Sequence, residues 1–252
     1  PFGDVLVKMA CATIRDTKEE KAISEEDQEF MILESRFLSN PGIAIEQSKT
    51  AAKKMAEQSQ NALKLSFGLL DSFQEENAFR VEKIEAKVDR YEDELGTYLI
   101  KLNQKELSVE DSHSLSIMLH CIGDFERISD HALSIMKSAK EMWEKNAVFS
   151  PQAVKELHVM EKAVVDIVDK AYAVFANQDI QLAEEIEPLE EVIDELSREL
   201  KRRHVNRLRA GECTIEMGFI LSDVTTSLER IADHCSNIGV CVTQVREDLY
   251  DT

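Results

Sequence analysis

Four pairs of carboxylates in this chain stand one helical turn apart: Glu85 with Asp89, Glu126 with Asp130, Glu190 with Asp194, and Glu229 with Asp233. On an α-helix residues i and i+4 share a face, so each pair points two hard oxygen donors in one direction. Like charges so placed repel by about 0.2–0.5 kcal/mol unless a cation or a basic side chain comes between them. Carboxylate oxygens at this spacing suit a divalent or trivalent metal ion, and two such helices side by side could complete a four-carboxylate, multinuclear cluster. The competing reading is a solvated acidic face, common in a chain with 49 acidic residues.

Repetition weighs toward the metal. FERISDHALSI at 125–135 returns as LERIADHCSNI at 228–238, an offset of 103 with six identities in eleven positions. The apolar residues Ile117, Cys121, Phe125, Ile128, Ala132 and Ile135 meet Ile220, Val224, Leu228, Ile231, Cys235 and Ile238. Their steps of three and four trace one helix face, a core seam. A second seam repeats at an offset of 105, where Val81, Ile84, Val88, Tyr91 and Leu95 correspond to Ile186, Leu189, Ile193, Leu196 and Leu200. Each half therefore carries two Glu-x-x-x-Asp pairs, on two different helices.

The elements that must hold these residues are helices throughout. Eight Gly and four Pro in 252 residues leave few breakers, and 43% hydrophobic residues supply a substantial core, so the expected class is all-α. Asn40-Pro41 opens a first helix near residue 42, a turn is expected near residues 75–78, and Ser108 with Asp111 resembles an N-cap with an acid three residues on. Ser150-Pro151 starts the second half, and Asn177 to Asp179 and Gly211 mark its internal turns. Pro188 stands where the first half has Lys83, so a kink or a shifted start is expected there. The expected architecture is a duplicated three-helix bundle of six principal helices, residues 42–146 and 150–250, joined end to end or merged into one body.

Charge and motif content narrow the chemistry. A formal net charge of −19 repels phosphate backbones and anionic lipid and attracts cations, so neither nucleic acid nor direct lipid binding is expected. The five cysteines are odd in number, scattered and without a C-x-x-C pair, which suits a reducing compartment. No run of about 18 apolar residues is present. The apolar-leaning PFGDVLVKMACATI at the start reads either as the trailing end of something upstream or as a processed terminus. Arg127 and Arg230 point away from the acids that precede them and are expected to pair with a neighbouring helix. His131 and His234 lie about 100° round the helix from Asp130 and Asp233, which suits groups behind the ligands or between helices. The Glu-x-x-His motif that a di-iron oxidase needs on two facing helices occurs once, at Glu110 to His113. Without a Gly-rich phosphate loop or a nucleophile elbow, no enzymatic activity is expected.

GDFERISDHALSI and TSLERIADHCSNI, together with IEAKVDRYEDEL and LEEVIDELSREL, resemble the duplicated signature of the PhoU family across about residues 42–250. That resemblance implies two three-helix bundles, a role in phosphate signalling, and multinuclear clusters, iron or zinc among them, on the eight carboxylates named above. ESRFLSNPGIAIEQSKTAAKKMA resembles the segment leading into the PhoU-like region of bacterial sodium/phosphate cotransporter-family proteins, with residues 1–41 as a linker from a membrane region. It implies a regulatory domain on the cytoplasmic side of the membrane, partnered by the membrane portion of its own chain and compatible with a homodimer. The alternative is a free-standing adaptor that binds a transporter ATPase or a histidine kinase. The hydroxyl-rich SDVTTS before Glu229 is expected to shape the second site differently from the first.

Overall fold

In the computed structural model, which describes residues 29–247, the chain is all-α. Six long helices form two bundles: α1 (Pro41–Asp71), α2 (Glu75–Leu102) and α3 (Val109–Glu144), then α4 (Pro151–Asn177), α6 (Ile186–Arg209) and α7 (Ile215–Glu247). The single-turn α5 (Ile180–Ala183) precedes α6. Within each bundle the three long helices pack against one another, while α3 runs along α7 and α1 touches α4. The two bundles are therefore merged, and one continuous apolar core runs from Ile45 and Met55 through Ile128 to Ile231 and Val242.

The caps form where the sequence places them. The Ser108 hydroxyl accepts from the Asp111 amide at 3.1 Å, and Ser150 accepts from Ala153 at 3.3 Å ahead of Pro151. Each satisfies one of the amides that a helix start leaves without a carbonyl partner. Gln178 at φ 53° and Gly211 at φ 71° take left-handed backbone to end α4 and α6. The first internal turn lies at residues 72–74, three residues earlier than expected, because Glu75 and Glu76 enter the first turn of α2, where the helix dipole favours acids.

Pro188 produces a shifted start. Where α2 is continuous, its counterpart is divided into α5 and α6, and Pro188 occupies the third position of α6. Proline lacks an N–H and its ring excludes the carbonyl four residues back, but in a first turn that N–H has no helical partner to lose.

Residues 1–28 of the expected linker lie outside the described residues. Its remainder is docked on the first bundle: Phe30 and Leu33 are buried, and the Phe30 and Tyr91 rings are 4.6 Å apart. The Tyr91 hydroxyl donates to Glu29 at 2.7 Å, and Lys87 pairs with the same carboxylate. No helix among the described residues is long and apolar enough to cross a membrane.

Candidate metal centre

Burying the seams turns the paired acids toward each other. Ile128 and Val88 are fully buried, and so are their repeat counterparts Ile231 and Ile193. The neighbouring helix faces then meet at a groove in each bundle. In the first, one carboxylate oxygen each from Glu85, Asp89 and Asp130 lie within 4.8 Å of one another. In the second, Glu190, Asp194 and Asp233 repeat that arrangement. Six of the eight expected ligands thus form two triads at repeat-equivalent positions.

Charge repulsion shows in the proton affinities. Burial, then the Asp89 and Asp130 charges, push Glu85 above the usual carboxylate range. Burial, then Asp194 and Asp233, do the same to Glu190. Asp194 Oδ1 is sealed from solvent without a hydrogen-bond partner. An unpaired buried carboxylate oxygen is costly, and a divalent or trivalent cation between three carboxylates would relieve both strains. The residues present therefore fit a metal ion.

Glu126 and Glu229 stand outside the triads, and their surroundings differ. Glu126 is pushed up to about 7, first by burial and then by Asp130, against the opposing Arg127 charge. Glu229 accepts from Ser197 and Lys201, each at 2.9 Å. Although burial pushes the other way, those two partners hold it below the usual carboxylate range. At the 105-residue offset, Lys201 corresponds to Gly96 and Ser197 to Glu92, so α2 offers no lysine there, and Glu126 meets Arg127 of its own helix at 3.3 Å instead. Both partners of Glu229 come from α6, while within SDVTTS Thr225 turns back to the Ser222 carbonyl at 3.0 Å.

The arginines correct one expectation. Arg127 and Arg230 bond Asp130 and Asp233 on their own helices, at 3.1 and 3.0 Å, rather than pairing with a neighbouring helix. Residues three apart share a face, and a long guanidinium arm reaches back to it more easily than across a groove. His131 and His234 lie between the bundles, with ring centroids 5.8 Å apart. His234 Nδ1 is 2.9 Å from Asp124 Oδ1, a link from α7 to α3 that repeat matching alone does not reveal.

Fold and site together define a duplicated helical body with a carboxylate cluster in each half. The model of the PhoU domain matches residues 52–139 and 157–242, and the chain belongs to that family. A phosphate-specific transport system accessory protein PhoU homolog 1 from Thermotoga maritima is 30% identical over 115 residues, covering 46% of this chain. The chain spans about half of that relative's length, 49%. A PhoU homolog from Deinococcus radiodurans is 22% identical over 160 residues, 63% of this chain and 74% of its own. In fold, the chain is similar to the phosphate transport system regulatory protein PhoU from Streptococcus pneumoniae, with a TM-score of 0.74 at 16% identity over 83% of this chain and 98% of that one. PhoU from Pseudomonas aeruginosa gives 0.68 at 21% identity over 84% and 97%.

Proposed function

We propose that this chain regulates phosphate transport by binding rather than by catalysis, with a metal-filled carboxylate cluster in each bundle holding the shape of its docking surface. The observation that carries this is the pair of repeat-equivalent triads, where like charges crowd and Asp194 Oδ1 has no partner. Glu85, Asp89 and Asp130 would hold iron or zinc in the first bundle, and Glu190, Asp194 and Asp233 in the second. Glu126 and Glu229 lie close enough in sequence to join or to tune each cluster. The metal would supply positive charge that lets two acidic helices approach.

The relatives' names describe accessory proteins of a phosphate-specific transport system, which favours an adaptor acting on a separate transporter at the cytoplasmic face of the membrane. A regulatory domain tethered to its own sodium/phosphate transporter rests on the sequence of residues 1–56 alone.

Metal content tests the reading. Protein purified under metal limitation and reloaded with iron or zinc is expected to hold at least about one ion per chain and to melt at a higher temperature, since a ligand bound only by the folded state stabilises it. Chelation should reverse the gain, and Glu85→Gln with Asp130→Asn should blunt it in the first bundle. Less than about a tenth of an ion per chain at saturation would return the triads to a solvated acidic face.

A further inference from the structure

About 20 Å along α6 from Asp194, counting 1.5 Å per residue, the second bundle departs from the first in a way the clusters do not explain. His204 and Arg207 are 8% and 7% exposed, inside the core end of the bundle. Their counterparts at the 105-residue offset are Leu99 and Leu102, both fully buried. On α7, Gly218 replaces Leu115 at the 103-residue offset, and a Cβ there would stand 2.5 Å from His204 Nε2. The glycine gives the imidazole its place.

Burying polar side chains at apolar seam positions is unfavourable unless their hydrogen bonds are met. Here they are met only in part. Arg207 Nη1 donates to Glu156 at 2.7 Å, while Arg207 Nε and Nη2 and His204 Nε2 have no partner. Glu156 is shared with Arg203 and Gln152. Guanidinium nitrogens only donate, so their complement must be rich in acceptors.

His204 and Arg207 line a cavity of about 390 Å³ at the starts of α4 and α7, with the capping residues Ser150 and Thr214 also in its wall. Helix N-termini favour negative charge, here from two long helices at once. Cys213 lies in the same wall, its Sγ 3.7 Å from His204 Nδ1, and is half-buried. Phe149, Met217 and Leu221 supply apolar lining to the same cavity. The carboxylate Glu212 also lines the cavity but is exposed to solvent.

We infer that this cavity binds a small organic oxyanion, its acidic group at Arg207 and its apolar body against Phe149, Met217 and Leu221. A cavity of this size suits a small molecule rather than a bare ion. The inference is independent of the metal reading, and its test uses chelated, metal-free protein so that an anion bound by a cluster metal cannot be mistaken for one bound here.

Full-length chain is titrated by calorimetry with phenyl phosphate, inorganic phosphate and phenol, while the rate of Cys213 alkylation by iodoacetamide is followed by mass spectrometry. Phenyl phosphate is expected to bind more tightly than either of the others and to slow Cys213 alkylation severalfold. Arg207→Leu, which installs the first bundle's own residue, is expected to weaken binding by at least about tenfold. Arg207→Lys, able to keep the Glu156 ion pair, should fold normally if the leucine variant does not, and should bind between the two. Gly218→Ala, which displaces His204, should also weaken binding. No binding, unchanged affinity in both Arg207 variants, binding without protection of Cys213, or equal affinity for inorganic phosphate or phenol would each overturn the inference.

Discussion

The two carboxylate clusters share helix geometry and three acids apiece, yet the acid one turn before the Asp on the third helix meets opposite surroundings. Glu126, with Gly96 at the position equivalent to Lys201, is pushed up to about 7 by burial and Asp130 despite Arg127 at 3.3 Å, whereas Glu229 is held ionised by Lys201 and Ser197. Duplication has preserved the triad while letting the fourth acid diverge. Lys201 satisfies Glu229 and supplies there some of the positive charge a metal would bring, so Glu229 has less to gain from a cation than Glu126.

The largest expected effect is on metal affinity. Glu126→Gln should weaken binding at the first cluster by about tenfold or more, the range typical of groups that hold or tune a metal's ligands, while Glu229→Gln should change the second cluster less. Competition against a chromophoric chelator measures both, and equal losses would break the comparison.

Exchanging the two surroundings should move the difference with them, by a smaller amount. Lys201→Gly should raise metal affinity at the second cluster severalfold. Gly96→Lys should draw the Glu126 titration down from about 7 toward the ordinary carboxylate range, as read by NMR of the side-chain carboxyl. The nearest atom to a Cβ at Gly96 is Ile122 Cδ1 at 3.6 Å, an ordinary contact, so the first atom of a side chain there meets no clash.

The smallest effect, and the one with the clearest sign, is on metal-free stability. Glu126 has a folded pKa raised above its ordinary 4.5, so its contribution is most favourable below that value and is lost as pH rises through about 7. Glu229 has a lowered pKa, so its contribution is present above the ordinary value and is lost as pH falls. At pH 8, Glu126→Gln should raise the melting temperature by about 2–4 °C, the shift expected for about 1 kcal/mol in a domain of this size. Glu229→Gln should lower it. At pH 4 the Glu126→Gln gain should vanish. Shifts of the same sign at pH 8 would show that the lysine does not set the difference.

Much of this was legible from residue spacing. All six seam residues in each half, Ile117 to Ile135 and Ile220 to Ile238 in steps of three and four, are buried, because such a stripe has one way to leave water. The second seam is looser: Val88 and Ile193 are fully buried, while Leu189 and Leu196 are only partly so. Six of the eight acids could be brought together on paper because the i, i+4 rule fixes their direction. The pairing of Lys201 with Glu229 was harder, since it depends on how two helices are rotated against each other, which periodicity gives only to the nearest face. A signal existed all the same. Aligning the halves sets Lys201 against Gly96 and Arg207 against Leu102, and such departures from a repeat mark where one copy has acquired something its twin lacks. Arg127 and Arg230 misled because adjacency to an acid hides the longer reach to Asp130 and Asp233, one turn on.

Glu29 grips Lys87 and Tyr91, and Lys87 stands midway in sequence between Glu85 and Asp89 of the first triad. The segment entering the body is therefore fastened to the same turn of α2 that carries the two acids, but on the opposite side of the helix, like a cord tied to the back of a handle. A rotation of that turn of α2 would move the anchor and the two carboxylates together, and a metal clamped between them would in turn stiffen the anchor point.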